Sequence, residues 1–478
     1  FMGGGAVYAG GYADTVFTAN TFTENYSAGY GGAVEFSNGN YYKDRTITLG
    51  ALQADGTVDQ SKANTFTDNT ASSHGGAVFF GAQWSGDNTN GIYTTGKMYG
   101  GTFTNNTTKW AGGGALYLSS GTQRGDLGFE AVGVKFTDNK AVQSAYGGAV
   151  YLYGITASFK DCEFSGNTTD QNHGGAMYIQ RTKRFDLDGV HFSNNTAGIV
   201  RNDGWGGAIF ISEIPSSFEA AFTWNNVKFE GNTSGSHGGA VGANTSTYMD
   251  LTATDIVARS NKSISQAGGA FYLNQGHITL TNAVFENNTA SSSGGAIYMR
   301  NQYSGNSLTI NGTSRFANNT AGGSGGAVCY DGNKIYYTDD DGNLQYRRGT
   351  LTIKGTEDAP IEFSGNTAKN YSGGAICVGY NNTNSFDYLD VHDNKATQFG
   401  GGIYINGGGT EGSLTNSKIY DNTTGYTGGG VYINSFLCYQ YINVNGTNVP
   451  TRIGKACDFT IRDCEITGNA TIRTDGYS

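Results

Sequence analysis

After most copies of Gly-Gly-Ala the chain alternates apolar, aromatic, apolar, as in Val150-Tyr151-Leu152, Met177-Tyr178-Ile179 and Ile209-Phe210-Ile211, although Glu35 and Gly242 also fill the middle position. Apolar side chains two residues apart mark a half-buried strand. The first and third positions are expected to face inward and the second outward. A further short strand precedes Phe-x-x-Asn in many copies, as in Ile278-Thr279-Leu280 and Leu351-Thr352-Ile353. With the Phe segment itself, the pattern predicts about three short strands per unit.

The two phrases, Phe-x-x-Asn and Gly-Gly-Ala, alternate along the whole chain. The Asn recurs at Asn25, Asn69, Asn106, Asn139, Asn167, Asn195, Asn232, Asn261, Asn288, Asn319, Asn366, Asn394, Asn422 and Asn469. From Phe to Ala the distance is mostly 11 to 13 residues, whereas from Ala to the next Phe it runs from 15 (Ala149 to Phe164) to 36 (Ala327 to Phe363). One side of the unit is therefore structural, and the other tolerates inserts, near 37–65, 81–102, 331–349 and 434–457. The shortest units, 26 or 27 residues, leave no room for a crossover helix, and no spacer has a helical apolar period.

What remains is a coil of strands, each pairing in parallel with its counterpart in the next coil. The expected fold is all-β, a right-handed parallel β-helix of about 14 coils, because strand crossovers are almost always right-handed. Repeat units of this kind bury their apolar faces only by stacking. Residues 1–478 read as a single continuous β-helix. The chain opens inside one repeat and stops inside another, so a section of a longer chain is expected. Stacked in register, the Phe residues should form an internal column, and the Asn amides a ladder donating one way and accepting the other. Gly-Gly should turn a corner closed to other residues.

Composition adds little against this. The 76 glycines serve turns, since 13% aromatic residues is too many for disorder. A net charge of −10 argues against a nucleic-acid partner. No stretch approaches the roughly 20 apolar residues of a membrane span, so no direct membrane insertion by this segment is expected.

The paired Gly-Gly-Ala-(Ile/Leu/Val) and Phe-x-x-Asn repeats resemble the passenger regions of the polymorphic outer-membrane proteins of chlamydiae. More broadly they resemble related β-helical surface proteins in other organisms. The resemblance covers essentially the whole chain and implies an extracellular, cell-surface location. It also implies a structural or adhesive role, as part of a surface adhesin or fibre. The partners to expect are a host or neighbouring-cell surface protein or glycan, or further copies in a fibre. No cofactor is expected. The alternative is a glycan-binding module or a polysaccharide-active enzyme on a pectate-lyase-like β-helix.

Candidate chemistry is sparse. The acids Asp161 and Glu163, Asp186 and Asp188, Glu357 and Asp358, and Asp387 and Asp390 are scattered along the repeats, so no enzyme is expected. Asp339, Asp341 and Asn343 have calcium-loop spacing, but no Glu completes the set. The flanking strand patterns and the Asp-Gly favour a hairpin turn. His74, His173 and His237 precede Gly-Gly in non-consecutive copies, where Tyr30, Tyr146, Trp205 and Phe399 stand elsewhere. They read as bulky corner residues rather than metal ligands. Cys329 and Cys377 hold the same outward position in consecutive copies, one strand spacing apart, and Cys438 and Cys457 flank the last insert. Both pairs are candidate disulfides, testable as a mass shift on reduction. Cys162 and Cys464 fall on the inward side, as buried thiols. Asn-x-Ser/Thr sequons abound, but burial should block a glycan where a ladder residue is the acceptor, as at Asn167, Asn232 and Asn422. The outward row Tyr117, Tyr151, Tyr178, Phe210, Tyr272 and Tyr298 is the candidate contact surface, or else a stack that stiffens the fold.

Overall fold

The computed structural model describes residues 3–11, 13–38, 45–82, 94–119, 127–214, 220–244, 249–300, 305–332, 336–338, 344–346, 348–434, 439–444, 447–452 and 457–472. The turn expected at Asp339 to Asn343 and the thiol of Cys438 lie outside them. Residues 1–265 and 266–478 are two compact units. Each is a right-handed parallel β-helix with four sheets, of eight strands per sheet in the first unit and six in the second. A 3-10 turn at Gln60–Lys62 is the one helical segment among the described residues.

A coil has four strands where about three were expected. In one coil they are Val150–Tyr153, Ile155–Lys160, Glu163–Ser165 and Thr168–Thr169. The fourth is only two residues long, too short to show alternation. It follows the ladder Asn and pairs residue for residue with Thr196–Ala197 of the next coil. Inward-facing side chains fill the coil: Val150, Leu152, Ile155, Phe159 and Phe164 are all about 0–1% exposed. The Phe column stacks in register, with Phe136–Phe164 at 4.7 Å and Phe164–Phe192 at 4.9 Å, rings nearly parallel.

The ladder holds more than amide contacts. Asn139 Nδ2 donates to Asn167 Oδ1 at 3.0 Å and to the Phe103 carbonyl of the preceding coil at 2.9 Å. The backbone N–H of Asn139 donates to the same Asn167 oxygen at 3.0 Å. One residue thus ties three consecutive coils together. The pattern runs from Asn25 to Asn261 in the first unit and from Asn288 to Asn469 in the second. Asn167, Asn232 and Asn422 are fully buried, so the expected bar to glycan attachment there has its physical basis.

The residue before each ladder Asn turns the chain with a positive φ, from 52° at Asp421 to 66° at Gly231. Asp, Asn and Gly bear that conformation most readily, and they occupy twelve of the fourteen copies, with Glu24 and Ser260 the exceptions. At Gly-Gly the two glycines do different jobs. Gly174 has φ +70°, whereas Gly175 lies where a Cβ would sit 2.0 Å from the Gly207 carbonyl oxygen.

The flanks of the 331–349 insert pair antiparallel, Tyr336 with Tyr346 and Thr338 with Leu344, and those of the last insert pair as Tyr439–Val444 with Thr447–Arg452.

Candidate functional site

The outward aromatic row leaves the interior but is not open to solvent. Tyr117, Tyr151, Tyr178 and Phe210 are 9%, 9%, 6% and 3% exposed. Successive rings are 4.7, 4.8 and 5.5 Å apart. The corner residues that precede Gly-Gly close over them: Tyr146 packs 4.7 Å from Tyr178, and His173 4.6 Å from Phe210. The ring faces are therefore used on one another, and burial pushes the Tyr178 hydroxyl up to about 12. In the second unit Tyr272 and Tyr298 stack at 5.4 Å and Tyr404 and Tyr432 at 5.7 Å.

The corner histidines belong to this packing. His74 lies 4.3 Å from Tyr117, edge to face, and His173 Nδ1 accepts from the backbone N–H of Trp205 at 3.1 Å. Burial lowers both imidazoles to about 4, so both are neutral at pH 7. A group whose folded pKa lies below its unfolded value near 6.5 favours the folded state above that value. This contribution is lost as pH falls from about 6.5 toward 4, and protonation also removes the acceptor facing Trp205. The expected loss is about 2 kcal/mol per histidine, allowing for their partial exposure. Urea unfolding at pH 7.5 and pH 4.5 checks it. A His74→Phe, His173→Phe variant should lose less stability than the parent over that interval.

The side chains that do meet solvent are elsewhere. Trp110, Val200, Tyr371 and Tyr426 are 59%, 69%, 56% and 62% exposed. Each stands four or five residues after its ladder Asn, in the turn between the fourth strand and Gly-Gly. Tyr26, directly after Asn25, is 58% exposed, with the Lys109 ammonium 5.9 Å above its ring. The signal was present in the sequence: most other copies place Ser, Gln or Gly four residues after the Asn, as at Ser73, Gln143, Ser292 and Gln398.

Several of the scattered acids meet groups in adjacent coils rather than one another, and Asp186 meets Arg184 of its own strand at 2.6 Å. Glu163 meets Lys135 at 3.2 Å, and Asp387 accepts from Thr415 at 2.7 Å and Asn416 at 2.9 Å. Among the described residues no three His, Cys, Asp or Glu side chains are grouped to hold a metal ion. No helix there is long and apolar enough to cross a membrane.

Cys329 and Cys377 are partners in register on adjacent strands and are free thiols in this structure. The contact with the Cys377 thiol, and after it burial, raises the Cys329 pKa well above the ordinary thiol value. Cys457 is half-buried and free. Cys162 is buried as expected, donates to the Lys160 carbonyl at 3.2 Å, and is pushed up to about 12 by burial.

The Chlamydia polymorphic membrane protein repeat matches at residues 65–81, 189–212, 282–300, 313–331 and 360–379. Each match spans part of one Phe-x-x-Asn and Gly-Gly-Ala unit, so the chain carries repeats of this type. The Escherichia coli (strain K12) protein named "Probable autotransporter YfaL" is 33% identical over 131 residues. That similarity covers 26% of this chain and 10% of the relative's length. No solved structure gives a significant match.

Proposed function

We propose that this chain, built on repeats of the chlamydial polymorphic membrane protein type, is the displayed β-helical segment of a cell-surface protein. Its role is structural and adhesive rather than catalytic. The autotransporter named among its relatives supports surface display. The observation that carries the adhesive reading is the set of solvent-exposed apolar side chains in the turns before Gly-Gly, Trp110 and Val200 in the first unit and Tyr371 and Tyr426 in the second, with Tyr26 exposed on the fourth strand of its own coil. Large apolar residues left in solvent in the same stretch of several coils, beyond what packing uses, support an interaction surface. The partner is a surface protein or glycan of a host or neighbouring cell.

Beads coated with the chain test this. Changing Tyr26, Trp110, Val200, Tyr371 and Tyr426 together to Ser should leave the circular dichroism and unfolding midpoint unchanged, because these side chains lie outside the packed coils. Retention of the beads by host or neighbouring cells should fall several-fold. Retention equal to the parent's would overturn the adhesive reading.

A further inference from the structure

In the second unit the outward column reads Tyr272, Tyr298, Cys329, Cys377, Tyr404, Tyr432, each in register with the next. Two successive rings are thus replaced by small thiols. The tyrosines at either side of the break are three strand spacings apart, roughly 14 Å. The break opens a pocket of about 290 Å³ with Tyr298 and Tyr404 among its walls. The exposed Tyr371 and the half-buried Phe399 also line it.

The rest of the lining is polar. Asp331 lies in the pocket, its carboxylate held by the Tyr298 hydroxyl at 2.7 Å. Burial raises its pKa above the ordinary carboxylate value. Asn406 also lines the pocket, and its buried Oδ1 has no hydrogen-bond partner among the described residues. Three serines and Gln398 complete the polar wall.

We propose that this break in the aromatic column is a binding pocket for one pyranose ring, such as the terminal residue of a glycan. A pyranose has an apolar C–H face to lie on Tyr298 or Tyr404 and hydroxyl donors for Asp331 and Asn406. A flat aromatic guest would stack equally well but would leave Asn406 Oδ1 buried and unpaired and give Asp331 nothing beyond its Tyr298 bond, at a desolvation penalty. A metal ion would find one carboxylate and no convergent set of hard ligands. The volume sits at the small end of ordinary ligand sites, which suits a single sugar. This pocket shares Tyr371 with the exposed turn residues but does not depend on surface display, so its test is made on the purified chain with Tyr371 left in place.

The probes are the methyl glycosides of glucose, galactose, mannose and N-acetylglucosamine, with N-acetyltyrosinamide beside them, under reducing conditions. Saturation-transfer difference NMR should show saturable binding of at least one glycoside, strongest at its ring C–H protons. The Cys329→Tyr, Cys377→Tyr variant restores the residue found at neighbouring rungs, so it should fold and lose that binding. Asp331→Asn should weaken binding roughly tenfold, from the loss of a charge-assisted hydrogen bond. Binding by none of the four glycosides, binding that persists in the filled variant, or binding of N-acetyltyrosinamide alone would each overturn the proposal. Should the filled variant not fold, Asp331→Asn decides, because unchanged affinity there also overturns it.

Discussion

Replacing Asn195 by Asp is expected to destabilise the first unit by about 5 kcal/mol, although the two side chains have nearly the same shape. Asn195 Nδ2 donates to the Phe164 carbonyl and to Asn232 Oδ1, both at 2.9 Å, in a site with no solvent exposure. In the variant a carboxylate oxygen faces those two acceptors. Each orphaned group costs about 1–3 kcal/mol, and the buried charge adds to that unless it takes up a proton. Burial raises the new carboxyl's pKa above its unfolded value. The protonated form then favours folding below that unfolded value, an advantage lost as pH rises. The gap between variant and parent should therefore narrow in acid. Asn194→Asp is the internal control. Asn194 is exposed, already has φ +54°, and its in-register neighbours Gly166 and Gly231 carry no charge. Its change should stay within about 0.5 kcal/mol. Urea unfolding followed by circular dichroism reads both. Equal midpoints for Asn194→Asp and Asn195→Asp would refute the ladder's role in stability.

Gly175→Ala is expected to have an effect at least as large. The added Cβ would lie 2.0 Å from the Gly207 oxygen and 2.6 Å from the Thr196 nitrogen, both backbone atoms of the next coil. Neither can rotate away as a side chain would. The coils must separate, which breaks the bonds from the Gly175 N–H to the Gly206 oxygen and from the Ala176 N–H to the Ala208 oxygen. Because a repeat array is stable only through its neighbouring interfaces, this change should split the first unit's unfolding into two transitions. Gly128→Ala adds the same methyl group where nothing lies within 4 Å, and it should be silent. Amide hydrogen exchange localised to coils flanking Gly175 is the measurement. Protection equal to the parent's on both sides would show that the corner accommodates a Cβ.

The two control pairs show how far the residues could be read directly. Asn195 was readable as a ladder member because it recurs at a fixed offset from Phe192. That its oxygen also accepts a backbone N–H from the preceding coil, as Asn167 N to Asn195 Oδ1 does, depends on stacking distance and not on spacing. The left-handed position at Asn194 is legible too, since Asp, Asn and Gly share it across copies, but a single turn residue lies outside any strand alternation. The two-residue fourth strand escaped for the same reason. Its pairing is created by the coil above and below, not by any periodicity of its own.

The aromatic row marks where sequence reasoning stops. Period two placed Tyr117, Tyr151 and Tyr178 off the interior, and they are off it. Whether an outward residue meets water depends on what the adjoining corner carries. Tyr146, His173 and Trp205 come from another part of the coil, and they cover the row only because the turn at Gly-Gly folds them back. Trp110 and Val200, in the turns before Gly-Gly, are not covered in this way and stay 59% and 69% exposed.

The sequence by itself determined the coil. A repeated apolar period, an amide at a constant offset and glycine at a constant corner are local or nearest-neighbour demands, and each copy states them again. Tertiary structure alone decided the surface. Cys329 and Cys377 could be placed one above the other from their positions in the repeat. That two thiols in succession open a polar pocket between Tyr298 and Tyr404 follows only when Asp331 and Asn406 are brought beside them. Packing within a coil is periodic and so can be read from the chain, whereas a cavity is the volume that several unrelated stretches leave unfilled.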